Sequence, residues 1–225
     1  MNIYGDRGNI LAVVRRLEWR GYVANVIEYN QGDDFPEDVD IIIGGGGQDS
    51  GQLAIHDDLL VISDKIHELA RQNAPMLVVC GLYQLFGRQF TTVDGTRLKG
   101  IGLFDAETIA SKQRMTGNII TESDEFGEMV GFENHSGKTT LGPNAKPLAR
   151  VRLGAGNNGH DDTEGVRAHN AIGTYLHGSL LPKNPKLADW LIETALKNKF
   201  DSPDIDKLDD NTEELARSVA LNLTR

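Results

Sequence analysis

The chain has 225 residues, 39% of them hydrophobic, with 25 glycines, one cysteine and a formal net charge of −10. That length permits a single α/β fold with a real core, and the acidic balance argues against a nucleic-acid backbone or an anionic membrane surface as direct partner. One cysteine excludes an internal disulfide, and neither a membrane-length apolar run nor a signal-peptide pattern is present, so the expectation is a soluble, cytoplasmic protein.

Met1 to Arg7 is polar and turn-like. Gly8 to Arg20 then places Ile10, Val13, Val14 and Leu17 on one helical face, and Gly21 stops the helix. Tyr22 to Tyr29 reads as a strand, Gln31 to Glu37 as a loop, and Val39 to Ile43 as a second, buried strand. A glycine run, Gly44 to Gly47, leads into a long helix with Ile55, Leu59, Ile62, Ile66 and Leu69 on one face. Met76 to Val79 is a short apolar run that reads as a buried strand, and the lone Cys80 ends it. Gly81 follows at once, and Leu82 to Phe86 begin a short helix that ends near Gly87. Alternating strands and helices with short links predict a parallel sheet with helices on both faces.

Beyond Gly87 the pattern changes. Phe90 to Phe104 contains an Asp94-Gly95 turn, and Arg114 to Leu141 alternates β-rich runs with turns, predicting antiparallel hairpins at one edge. Gly154 to Gly165 is a polar loop, and Ala171 to Leu176 is a strand delivering His177. Pro185 to Lys199 is a helix packing Leu187, Ala188, Leu191, Ile192 and Ala195. Asp201 to Asp210 is an acidic link and Asn211 to Leu223 a weak terminal helix. The expected division is therefore a main domain over 1–200 and a link plus helix over 201–225.

Cys80 sits where a strand turns sharply into a helix. A nucleophile there stands clear of its backbone, beside N–H groups that point at whatever the sulfur attacks. The competing reading is a buried cysteine acting as a small hydrophobe. His177 also closes a strand, and the carboxyl ends of a parallel sheet form one rim, so a thiol and an imidazole base can meet there. The run Gly44 to Gly47 lacks the Gly-Lys-Ser/Thr of a phosphate loop. It is either a flexible turn or a stretch whose N–H groups approach an oxyanion.

Glycine loop, Cys80 elbow with Gln84, and a late Tyr175-Leu176-His177-Gly178 together resemble the class I (triad-type) glutamine amidotransferases, a flavodoxin-like α/β family with an open, mostly parallel sheet. The segment Gly131-Phe132-Glu133-Asn134-His135-Ser136-Gly137 is similar to one in their cobyric-acid-synthase-like branch. Within that branch, Asn2 to Ile10, Arg114 to Asn118 and Gly173 to Asn184 resemble the glutaminase (GatD) subunits of lipid II isoglutaminyl synthases.

The resemblance implies that Cys80 forms a glutamyl thioester with L-glutamine and that His177 is its base. It implies an oxyanion hole from Gly45 or Gly46 with Gly81, and Arg114 as the glutamine-carboxylate ligand, although a surface arginine on a hairpin is the competing reading. Gln84 is a further substrate-contact candidate, while Glu133, Asn134 and His135 are either functional or a structural edge motif. No metal or cofactor is expected in this subunit, ATP and magnesium belonging to a MurT-like, Mur-ligase-like partner that amidates the D-glutamate of lipid II. A glutaminase serving a cobyrinate-type synthetase, or a binding subunit without catalysis, is the alternative.

Three departures from the family pattern stand out. Leu82 occupies a position that is often glycine, so the elbow is expected to be tighter or its helix displaced. No carboxylate follows His177 locally, and the resemblance implies an Asp supplied by the partner, the alternative being a carboxylate of this chain such as Glu133 or Asp6. The family has a strand before the segment matching Asn2 to Ile10, and the chain is expected to begin after it.

Overall fold

A computed structural model describes residues 6–203 and 205–222. The chain opens with α1 (Arg7–Trp19), runs irregularly to β1 (Ile42–Gly44), and continues as α2 (Asp49–Val61), α3 (Ser63–Arg71), β2 (Met76–Val79) and α4 (Gly81–Phe86). Then come β3 (Gln89–Thr91), β4 (Arg97–Lys99), the long β5 (Ala106–Ser123) and β6 (Gly127–Leu141), and β7 (Ala149–Leu153). Short strands β8 (Thr163–Glu164), β9 (Val166–Ala168) and β10 (Ala171–Thr174) precede α5 (Leu180–Lys183), α6 (Pro185–Lys199) and α7 (Asn211–Leu221).

One sheet has the order β1-β2-β10-β9, with β1, β2 and β10 parallel and β9 antiparallel. All four β2 side chains are 0% exposed. An unbroken apolar run suits a strand covered on both faces, and this one becomes the central strand. In register, Gly44 and Gly173 both lie opposite Val78. Three parallel strands therefore end at one level, and the residues that follow them (Gly45 and Gly46, Cys80, Tyr175 to His177) share one rim. Gly173 admits the aromatic layer beneath that rim, since a Cβ there would lie 2.3 Å from Tyr83.

The antiparallel region is larger than hairpins at one edge: it forms its own six-stranded sheet, β4-β3-β5-β7-β8 with β6 paired to β5. Asp94-Gly95 makes the β3–β4 turn, with Gly95 at φ +89°. The β5–β6 ladder shifts register between Ala110 and Met115, beside Arg114. Tyr83 of α4 packs edge-on against both Tyr175 and Phe104, which ties the two sheets together through aromatic burial.

The helix over Pro185–Lys199 forms as expected, with Pro185 in its first turn and all five expected apolar residues buried. The expected long helix after the glycine run is instead two, broken at Ile62 (φ −87°, ψ 0°). Tyr22–Tyr29 forms no ladder. Its β-branched residues found no neighbouring strand among the described residues, and Val23 (97%) and Val26 (51%) are exposed. Residues 1–5, most of the stretch expected to be polar and turn-like, lie outside the described residues.

Arg16, buried on α1, binds Asp189 of α6 in a two-pronged pair (2.7 Å each) and reaches Asp210 at 2.6 Å. The C-terminal link is thus anchored to the main body, while α7 buries none of its residues. Among the described residues no helix is long and apolar enough to cross a membrane.

Candidate active site

Cys80 adopts φ +53°, ψ −110°, a conformation costly for a residue with a side chain. The backbone holds it there from both directions: its N–H donates to Thr174 O (2.9 Å), and its carbonyl accepts from Gln84 N (3.0 Å). Neighbouring glycines make room. A Cβ on Gly81 would lie 2.9 Å from Gly47 O, and one on Gly44 would lie 2.1 Å from Leu82 Cδ2. Leu82, unexpected beside the nucleophile, is therefore accommodated by the glycine facing it, Gly44 at the end of β1.

His177 is delivered three residues beyond β10. Its backbone exchanges two hydrogen bonds with Phe132 of β6 (2.9 and 3.1 Å), and Gly131 allows this approach because a Cβ there would lie 2.8 Å from Leu176. The imidazole Nδ1 lies 3.2 Å from Asp6 Oδ1, both side chains being 1% exposed. The second carboxylate oxygen, Oδ2, accepts from Gly46 N at 2.7 Å. A Cβ on Gly46 would meet His177 (2.8 Å), Cys80 (3.3 Å) and Asp6 (3.4 Å), so three side chains converge on this one glycine. Burial works against the His177 charge. The hydrogen bond to Asp6 and the neighbouring Cys80 sulfur, with the charges of both, outweigh it and push the pKa up to about 9.

Two expectations meet this geometry. A carboxylate of this chain, Asp6, lies against the imidazole Nδ1, as one of the carboxylates considered beside a partner's Asp. Gly46 N–H is engaged by that carboxylate, which removes it as an oxyanion donor in this conformation and leaves Gly45, buried beside it, and Gly81 after the nucleophile.

Gln84 sits in a buried hydrogen-bond network. Its amide nitrogen donates to Tyr175 Oη (3.0 Å) and its oxygen accepts from Gln52 (2.8 Å), so a buried network, not a substrate, satisfies it. Arg114 is exposed at the register shift of β5, where Nε donates to Asn134 Oδ1 at 2.6 Å. Burial lowers the pKa of His135 to about 3, and the charges of His177 and Arg114 act in the same direction.

The segment Gly131 to Gly137 alternates as a strand should. Glu133 accepts from Ala155 N and Gly156 N (2.9 Å each), and His135 stacks on Tyr175 at 3.6 Å. Gly137 leaves room for the Gln84 amide, which a Cβ would meet at 2.3 Å. Asn134, pointing the other way, holds Arg114. The motif is a structural wall whose outer face steadies one candidate ligand. Another buried acid lies behind it: Glu164 accepts from Thr174 Oγ1 (2.6 Å) and Tyr175 N (2.9 Å), and burial pushes it up to about 7 against those bonds.

Residues 1–185 match the CobB/CobQ-like glutamine amidotransferase domain. The chain belongs to that family. This amidotransferase is 38% identical to the GatD subunit of a glutamine-hydrolysing lipid II isoglutaminyl synthase from Staphylococcus aureus, over 99% of this chain and 91% of that one. The GatD of Streptococcus pneumoniae is 39% identical over 89% of this chain and 78% of its own length. A cobyric acid synthase from Desulforamulus reducens is 32% identical over 73% of this chain, yet only 36% of its own length is matched. The fold is shared with a crystal structure of a glutamine amidotransferase, at TM-score 0.59 and 17% identity over 82% of this chain and 93% of that one. It is shared equally with PurLQS from Thermotoga maritima, at TM-score 0.57 and 14% identity over 84% and 92%.

The structure brings Cys80 and His177 to one rim, and of the two carboxylates that sequence reasoning kept as alternatives to a partner's Asp, Glu133 and Asp6, it places Asp6 against the imidazole. An aspartate before an amphipathic helix reads as its cap, and Asp6 does occupy that position on α1. The side chain makes no cap bond. What local pattern assigns to the helix end, the tertiary structure gives to His177.

Proposed function

We propose that the chain is the glutamine-hydrolysing subunit of a two-subunit lipid II isoglutaminyl synthase. The observation that carries this reading is Cys80 on its strained elbow with the His177 imidazole converging on the same glycine, Gly46. Likeness to GatD along nearly the whole chain selects the substrate class.

In the reaction, His177 takes the Cys80 proton as the sulfur attacks the side-chain amide carbon of L-glutamine. The oxyanion forms against backbone N–H groups of Gly81 and Gly45. Collapse breaks the C–N bond, and the imidazolium returns its proton to the departing ammonia, leaving a glutamyl thioester. A water deprotonated by His177 then cleaves the thioester and releases glutamate and the thiol. Arg114 binds the substrate α-carboxylate, a fit for a guanidinium steadied through Nε. Ammonia passes to a MurT-like partner, where ATP and magnesium activate the α-carboxyl of D-glutamate in lipid II.

The test is Cys80→Ala. Glutamine hydrolysis should fall at least about 10³-fold, since alanine offers no nucleophile, while the complex with its synthetase still amidates lipid II from free ammonia. Near-normal hydrolysis would overturn the assignment of the nucleophile. Amidation of a cobyrinate-type acid in place of lipid II would overturn the acceptor.

A further inference from the structure

We propose that Gln52, buried on α2, is a positioning residue that clamps the glycine run after β1 to the Cys80 elbow, so that the backbone donors of both loops face one point. The proposal rests on the glutaminase reading above and adds to it a residue one layer behind the nucleophile.

Three observations carry the argument. First, Gln52 holds both loops at once. Its backbone N–H donates to Gln48 O (3.0 Å), which closes the end of the glycine run onto the first turn of α2. Its side-chain Nε2 donates to Gly81 O (3.0 Å) and to Gln84 Oε1 (2.8 Å), both on α4 just after the nucleophile. A primary amide carries two N–H donors, and both are spent on the elbow. No other side chain among the described residues hydrogen-bonds the head of α2 to the elbow. Second, Gln52 is 1% exposed. Burying an amide costs free energy that an apolar residue of the same size avoids, so what the glutamine adds is direction. Third, the two loops meet backbone to backbone. A Cβ on Gly81 would lie 2.9 Å from Gly47 O, 3.2 Å from Gly47 N and 3.3 Å from Gln52 Cδ. Contact that close sets the separation of the loops, and the bonds from Gln52 set their relative rotation.

The consequence falls on the Gly81 N–H. Cys80 O accepts from Gln84 N (3.0 Å). In a trans peptide the N–H points opposite to the C=O, so Gly81 N–H is turned away from the body of α4, out of its first turn. Gln52 pins the next carbonyl along, Gly81 O, and the glycine is thereby held through the peptides on both sides. A glycine needs that restraint because its backbone has the widest range of conformations. Gly45, the donor expected from the other loop, is buried three residues before Gln48. Drift of one donor against the other changes little while a planar amide is bound, and it matters when a tetrahedral oxyanion needs both. The clamp also reaches the segment that delivers the base, since Gln84 Nε2 donates to Tyr175 Oη (3.0 Å), two residues before His177.

The experiment places Gln52→Met, which keeps the length and loses both donors, in the full chain. It reads kcat and KM for glutamine hydrolysis, the affinity for glutamate γ-semialdehyde, and the affinity of L-glutamine for the same variant in a Cys80→Ala background. The aldehyde is captured by addition of the thiol: sulfur bonds to the carbonyl carbon, the proton ends on the oxygen, and the tetrahedral adduct faces the oxyanion donors. We expect kcat to fall about 10–10²-fold with KM changed less than about threefold, and aldehyde affinity to fall by a similar factor. Glutamine binding in the Cys80→Ala background should change less than about threefold. A kcat within about threefold of native, or an unmoved aldehyde affinity, overturns the proposal. So does glutamine binding weakened as much as the aldehyde, which marks a general loss of the site. If Gln52→Met does not fold, Gln52→Asn, which withdraws the amide by one methylene, is read with the aldehyde. Capture weakened at least about threefold supports the role, and unchanged capture overturns it. Aldehyde capture needs no turnover, so a native chain that captures it and hydrolyses no glutamine sinks the glutaminase reading and leaves the test of Gln52 standing.

Discussion

Tyr22–Tyr29 and Met76–Val79 are both rich in β-branched and apolar residues, and their fates are opposite. Met76–Val79 becomes the central strand, paired on both edges and fully buried. Tyr22–Tyr29 has comparable propensity but joins no ladder among the described residues, and it runs as irregular chain with Val23, Val26 and Ile27 in solvent. A strand is a relation between segments. Backbone groups are satisfied only when a neighbour presents the complementary row, and β-propensity measures fit to that neighbour.

The contrast can be tested first at its strongest point. Leu77→Ala in β2 removes a fully buried side chain where the site's backbone is anchored, and it should cost about 2–5 kcal/mol in denaturant unfolding. A loss under about 1 kcal/mol would show that this strand is not the rigid base of the elbow. Arg114→Ala, on the exposed shift of β5, should leave the fold intact and weaken glutamine binding by about 2–3 kcal/mol, read as a rise in KM with kcat little changed. An unaltered KM would return Arg114 to a structural role.

Glu164→Gln probes the charge buried behind the β10 end. Its carboxyl titrates near 7 in the fold, above the ordinary 4.5, so native stability is fullest below pH 4.5 and declines as pH rises towards 7. The amide should remove that decline and stabilise the protein by roughly 1–3 kcal/mol at pH 8, with little gain at pH 4.5. An equal effect at both pH values would mean that Glu164 does not carry the shift. His177 contributes in the same direction over a higher window. Its raised pKa lends stability that is complete below 6.5 and disappears through about 9. The smallest effect belongs to the unpaired segment, where Val26→Ser should change stability by no more than about 0.5 kcal/mol. A cost above 1 kcal/mol would reveal packing that its exposure does not suggest.

Much of the active rim was legible in the residues themselves. A buried apolar run ending in Cys80, a glycine run after a second strand, and a third strand ending near His177 are local patterns, and a parallel sheet brings such ends together because its strands share one direction. The helix over Pro185–Lys199 was legible for a similar reason, since its apolar spacing and first-turn proline state both boundary and buried face. Only the tertiary structure decided the rest. It left Tyr22–Tyr29 outside the ladders of the described residues, turned the Gln84 amide into a buried network and engaged Gly46 N–H. It also brought Asp6 to His177, 171 positions away in the chain. A hydrogen bond across that distance leaves no periodicity or spacing to read, because each residue's neighbours in sequence account for it in another way: Asp6 as a helix cap, His177 as the end of a strand. The packing of α1 against the loop after β10 settles which account holds.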